Sequence, residues 1–169
     1  CTVFNTHIPR RGPLNLPFLG LGIGRQNWIL SSQDFKLDEI TEPEYFVSQR
    51  SRKAKEVHYW GHYHVADLEY EIDSPVSMGL RAWAPFIPGD VTISNTPGAV
   101  FEVYLCNTTD TIQKGRIVFS FPGPSPQEVI GSYTFKHTPV EGNFSGIVVT
   151  HESGVGYALG VIGKEVIHT

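Results

Sequence analysis

The chain has 169 residues, of which 40% are hydrophobic and only 18% charged, below the ~25% of an average soluble protein. With 13 basic against 17 acidic residues the formal charge is −4, which argues against a nucleic-acid or anionic-membrane partner, since such partners are met by clustered Lys and Arg. Its 17 glycines and 12 prolines exclude a coiled coil, and no run approaches the ~18 consecutive apolar residues of a membrane span.

The length suits one domain, residues 1–169, or part of a larger β-sandwich. Residues 1–60 read as a loop-rich opening segment, because Pro9, Pro13, Pro17, Gly20, Gly22 and Gly24 punctuate its apolar residues. Gly20-Leu-Gly-Ile-Gly24 lacks the GxGxxG spacing and is followed by no Walker lysine, so a phosphate loop is rejected in favour of a strand where backbones approach closely. Cys1 reads as a boundary, ahead of a lipid-bearing or nucleophilic terminus. Cys1 and Cys106 alone make neither a disulfide framework nor a CxxC knuckle, and they leave the compartment open.

Residues 31–58 are the most polar stretch, and the only place a short helix fits is around Glu42 to Lys55. The basic cluster Arg50, Arg52, Lys53 and Lys55 reads as solvated loop. From His62 the alternation predicts one strand, with His62, His64, Ala66, Leu68, Tyr70 and Ile72 on one face and Asp67, Glu69, Glu71 and Asp73 on the other. Further strands follow at Leu80 to Phe86, Ala99 to Leu105 and Ile117 to Phe121, and short runs at Val129 to His137, Gly146 to Thr150 and Val155 to Val166. Strands at this spacing, divided by turn residues, predict an all-β fold, an antiparallel β-sandwich or barrel. The sequons at Asn107 and Asn143 fall where turns are expected.

The segment His58-Tyr-Trp-Gly-His62-Tyr-His64 followed by Glu69 admits three roles. A His-x-His pair on one strand can serve a divalent metal, as in cupins, with His62, His64 and Glu69 as ligands; against it, Glu69 has the opposite strand parity. The same aromatics and imidazoles suit stacking on a sugar ring, or they line a rim. GxSxG and HExxH are both missing, and the acidic residues alternate on what reads as a solvated strand face.

Pro85-Phe-Ile-Pro-Gly-Asp90, Pro97-Gly-Ala-Val-Phe-Glu-Val-Tyr-Leu-Cys-Asn107 and Gly115-Arg-Ile-Val-Phe-Ser-Phe121 together resemble the N-terminal β-sandwich domain of family 116 glycoside hydrolases, the group of the non-lysosomal glucosylceramidase and bacterial β-glucosidases. The likeness is strongest over residues 65–121, and Asn27-Trp-Ile-Leu30 resembles the family's Trp-containing strand. In that family the nucleophile Glu and acid/base Asp belong to a later (α/α)6 domain, so the resemblance implies no catalytic residue here. It implies a non-catalytic domain that packs against a helical catalytic domain of the same parent protein, with no cofactor. Pro85 to Asp90 is expected to form a fixed turn, and His62, His64, Trp60 and Asp90 are the residues singled out for a carbohydrate ligand. A partner-facing domain should also expose more apolar surface than a monomer's few hundred Å².

Overall fold

The computed structural model describes residues 3–4, 13–14, 19–31, 51–119, 131–132 and 134–162. The chain divides into two compact units, Cys1–Ser120 and Phe121–Thr169.

In the first unit, β1 (Val3–Phe4) and β2 (Pro13–Leu14) form a short ladder. Next come β3 (Leu19–Ile23) and β4 (Gln26–Ile29), a hairpin whose turn carries Gly24 at φ 59°, a left-handed conformation that glycine adopts without steric cost. β5 (Arg52–Lys53) pairs parallel with β4, and β10 (Gly115–Phe119) pairs antiparallel with β3, giving a sheet of order β10-β3-β4-β5. The space a Cβ on Gly115 would need holds the carbonyl oxygen of Gly22. That is the close backbone approach expected of the glycine-rich opening.

The other sheet is an antiparallel meander of β6 (Glu56–His62), β7 (Val65–Glu71), β8 (Val76–Trp83) and β9 (Val100–Asn107). Leu68, Leu80 and Val103 lie in one register row, and Tyr70, Met78 and Leu105 in the next, so alternate residues of three strands present one apolar face. Buried Leu68, Tyr70, Met78 and Leu80 from this face join Leu19, Leu21, Trp28, Leu30 and Ala54 in a single core. The fold is nearly all-β and sandwich-like, as the alternation predicts.

Three expectations are corrected. The strand expected from His62 is a hairpin: β6 ends at His62, Tyr63 and His64 form the turn, and β7 starts at Val65. Across this two-residue loop the parity inverts, so the face that carries Leu68 and Tyr70 of β7 is formed by odd positions in β6, where Val57 packs against the core while Tyr59 stays 66% exposed. Residues 51–55 hold β5 rather than the end of a helix, while 42–50 lie outside the described residues. Arg52 and Lys53 are accordingly an exposed strand, and Arg52 reaches Asp73 at 3.3 Å.

The helix found among the described residues is α1 (Val91–Ser94), one turn following the Pro85 to Asp90 segment. Asp90 caps it: its Oδ1 accepts from the Ile93 N–H at 2.9 Å. At the end of β9 the Asn107 side chain is committed to the turn, donating to the Thr111 carbonyl and accepting from the Thr109 N–H, as a turn residue should.

The second unit is a meander of β11 (Lys136–Val140), β12 (Phe144–Thr150) and β13 (Gly156–Ile162). The run expected from Val129 is strand only from Lys136, and Val129 itself lies outside the described residues. Gly146 faces Gly160 across β12 and β13, and a Cβ on Gly146 would meet the Leu159 carbonyl and Gly160 Cα. His151 is buried and bonded at both ring nitrogens. Nδ1 accepts from the Ser153 N–H at 3.0 Å, which leaves Nε2–H to donate to the Ser132 carbonyl at 2.6 Å.

Candidate functional site

The face of the β6–β9 sheet turned away from the core follows from the same registers. One row across all four strands reads Trp60, Asp67, Arg81 and Glu102. The rows on either side read His58, Glu69, Gly79, Tyr104 and His62, Val65, Trp83, Val100. The solvated face of an antiparallel sheet is ordinarily polar. Here it carries two tryptophans and a tyrosine, with Trp60 53% and Tyr104 52% exposed.

The polar groups of this face are held by one another. Arg81 grips both carboxylate oxygens of Asp67, Nε to Oδ1 at 2.7 Å and Nη2 to Oδ2 at 3.0 Å. Glu102 accepts from Tyr104 Oη at 2.6 Å and from Trp83 Nε1 at 3.1 Å. The Arg81 hydrogen bond holds the Asp67 carboxyl below the usual carboxylate range, and the Tyr104 hydroxyl, with the Trp83 indole, does the same for Glu102. The Tyr104 hydroxyl is pushed up in return by its bond to Glu102. Between Glu69 and Tyr104, Gly79 leaves bare backbone, where a Cβ would find only ordinary contact with the Leu68 carbonyl at 3.4 Å.

A second surface lies at the end of this sheet where β6 turns into β7. Tyr63 meets Phe86 edge-to-face at a ring separation of 5.0 Å, and His64 lies 5.5 Å from the same ring. The loop after β8 is tied internally: Ser94 Oγ accepts from the Ile87 N–H and donates to the Ile87 carbonyl, and the Asp90 N–H bonds the same carbonyl. Its apolar side chains nevertheless point outward, since α1 buries no residue and Val91 is 70% exposed.

The residues singled out from the sequence separate onto these two surfaces. Trp60 and His62 share the outer sheet face, whereas His64 sits in the hairpin turn against Phe86, and the Asp90 carboxylate is engaged as the cap of α1. His62, His64 and Glu69 do not come together. Glu69 sits opposite His58 in the register, four residues from His62 and so roughly 13 Å along the strand at ~3.4 Å per residue. Among the described residues, the metal-ligating types that converge are Glu56, His58 and Glu71, all exposed, with Lys55 4.0 Å from Glu71. Sequence reasoning missed Asp67, Arg81, Trp83, Glu102 and Tyr104 as a group. Their signal was available in the parity of β8 and β9, whose outward positions hold Trp and Tyr beside the charges.

These features define a sandwich-like all-β protein with an open aromatic sheet face and an exposed apolar loop. The chain belongs to the glycosyl-hydrolase family 116 N-terminal domain family: residues 23–155 match the family described as "beta-glucosidase 2, glycosyl-hydrolase family 116 N-term". No curated protein and no solved structure matches it significantly. No helix among the described residues is long and apolar enough to cross a membrane.

Proposed function

We propose that the chain is the non-catalytic N-terminal sandwich of a β-glucosidase- or glucosylceramidase-like hydrolase, and that it packs against and shapes a separate helical catalytic domain. The carrying observation is the loop from Phe86 to Ser94. It is fixed by its own hydrogen bonds and by the Asp90 cap, yet it exposes Ile87, Val91 and Ile93. A segment ordered in advance loses little entropy when a partner covers it, which is what a domain interface requires. With Phe86 and Tyr63 beside it, the patch is continuous with the hairpin turn. The same segment carries the Pro-Phe-Ile-Pro-Gly-Asp motif of the family resemblance.

Two measurements test this reading. The natural gene product is expected to be several times the 18.8 kDa of this chain, at the ~100–200 residues usual for each further domain. In that product, amide exchange over residues 86–94 is expected to be slower than in the isolated chain, and Val91→Asp with Ile93→Asp is expected to restore the faster exchange. Equal exchange in both proteins would overturn the assignment.

A further inference from the structure

We propose that the outer face of the β6–β9 sheet is a carbohydrate-binding platform, on which a neutral pyranoside lies across Trp60, Asp67, Arg81 and Glu102 above the bare backbone at Gly79. It concerns a different surface from the loop assigned to the catalytic domain and stands without that assignment.

Three properties of the face select this occupant. First, Trp60 and Tyr104 are exposed on the sheet face, and Trp83 beside them is half-buried, rather than packed in the core. A pyranose ring with equatorial substituents presents flat C–H faces that match an indole ring, while its hydroxyls project sideways toward polar neighbours. Second, the polar neighbours are already oriented. Arg81 is fixed by a fork to Asp67, and Glu102 by Trp83 and Tyr104, so acceptors and donors alternate along one row without further ordering on binding. Third, the charge is unequal. Glu56, Asp67, Glu69, Glu71 and Glu102 share the face with one Arg and two His, and Lys55 reaches only Glu71 at its edge, so acidic groups still outnumber basic ones, hydroxyl donors are favoured and phosphates, sulfates or uronates are repelled.

A protein partner fits this face less well than it fits the loop patch. The centres of protein interfaces are depleted of charge, and covering the Asp67–Arg81 pair would strip it of water. A sugar leaves the row partly wet and replaces water on the carboxylates with hydroxyl donors. Gly79 contributes by absence. Any side chain there would stand up from the floor between Glu69 and Tyr104, and glycine removes it at some cost to strand propensity.

Isothermal titration and tryptophan fluorescence of the full chain with cellohexaose test the proposal, with polygalacturonate as the anionic arm. Because Trp28 is buried in the core, a spectral change on adding sugar reports Trp60 and Trp83. Cellohexaose is expected to bind and to shift the emission, and polygalacturonate is expected not to bind. Trp60→Ala should weaken binding by about tenfold, a change of roughly 1.4 kcal/mol. Gly79→Leu should abolish binding with the melting temperature held, because the backbone there accommodates a Cβ. Ile112→Ser, on an exposed loop residue, should change nothing. Lack of cellohexaose binding, equal binding of the anionic polymer, or binding indifferent to both platform variants would each overturn the proposal. So would self-association of the chain that Gly79→Leu abolishes, since the face would then belong to a second copy.

Discussion

Replacing Tyr70 by Phe is expected to stabilise the protein. Tyr70 is 5% exposed, in register with Val57 on one side and Met78 on the other, and its ring belongs to the core. Its hydroxyl has no hydrogen-bond partner among the described residues. A buried polar group left unpaired costs about 1–3 kcal/mol, and Phe keeps the ring while removing the oxygen, so Tyr70→Phe should gain about that much near neutral pH. In urea, with an m-value of ~1–3 kcal/mol per molar, the midpoint should rise by about 1 M. Trp28, Trp60 and Trp83 all lie in the first unit, so fluorescence reads that unit alone. The pH dependence gives a second arm. Burial raises the Tyr70 hydroxyl above its ordinary value of 10.0, so the folded state holds a proton that the unfolded chain releases. The Tyr70 contribution is therefore constant below about pH 10 and is lost above it, so stability should fall more steeply in the wild type than in the variant, by up to ~1.4 kcal/mol per pH unit, while the raised Tyr104 hydroxyl contributes to both. A Tyr70→Phe protein less stable at pH 7, with an unchanged alkaline slope, would refute the reasoning and show that the hydroxyl is paired.

Three further outcomes are expected. Followed by NMR, Asp67 should remain ionised below its ordinary 3.8, and Arg81→Leu should bring it back up. Because the folded-state value is depressed, what the pair contributes is present above that range and disappears as the pH falls through it. Asp90→Ala should cost about 0.5–2 kcal/mol of local stability, seen as faster amide exchange at Ile93 while the β6–β9 ladder is unchanged. Gly146→Ala should destabilise the second unit by about 1–3 kcal/mol or more, because its methyl group meets backbone that cannot swing aside as a flexible side chain would; circular dichroism melts of the chain would show it.

How far the sequence could be read depended on whether a signal was local. The strands β7 and β9 follow from alternation because each has one apolar face, with Leu68 and Tyr70, and Val103, on the core side, but the same alternation places the strand between them at Leu80 to Phe86, whereas β8 runs Val76–Trp83 and begins with the buried Val76 and Met78. The turn at Pro85 to Asp90, with a carboxylate that accepts a backbone N–H, was legible from the proline and glycine around it, whereas the helical turn Val91–Ser94 that Asp90 caps was not, since the sequence places its one short helix around Glu42 to Lys55. The β6–β7 hairpin was not, since Tyr63-His64 is no customary turn pair and the polar His62 continues the even-numbered pattern by coincidence. That single error merged two strands and gave His62 and His64 a shared face. Alternation also gives each residue's side of a strand but not which strands are neighbours. The row from Trp60 to Glu102 therefore required the order β6-β7-β8-β9.

The two surfaces assigned to this chain make a joint prediction. Gly79 lies four residues before Trp83, roughly 13 Å along β8 at ~3.4 Å per residue, and the loop carrying Val91 begins beyond that end. Substitutions separated by more than ~7–10 Å without shared partners act additively. In the natural product, Gly79→Leu should remove cellohexaose binding and leave the slow amide exchange of residues 86–94 intact, whereas Val91→Asp with Ile93→Asp should do the reverse. The combined variant should show both losses at their single-variant sizes. Coupling beyond ~0.5 kcal/mol would mean that one ligand spans both surfaces, and it would replace two sites with one. The connection between them is structurally short, since Trp83 ends the strand and holds Glu102, and Phe86 begins the apolar patch three residues later. Trp83→Phe keeps a ring but lacks the Nε1 donor, so it should weaken the sugar and spare the loop if the sites are separate.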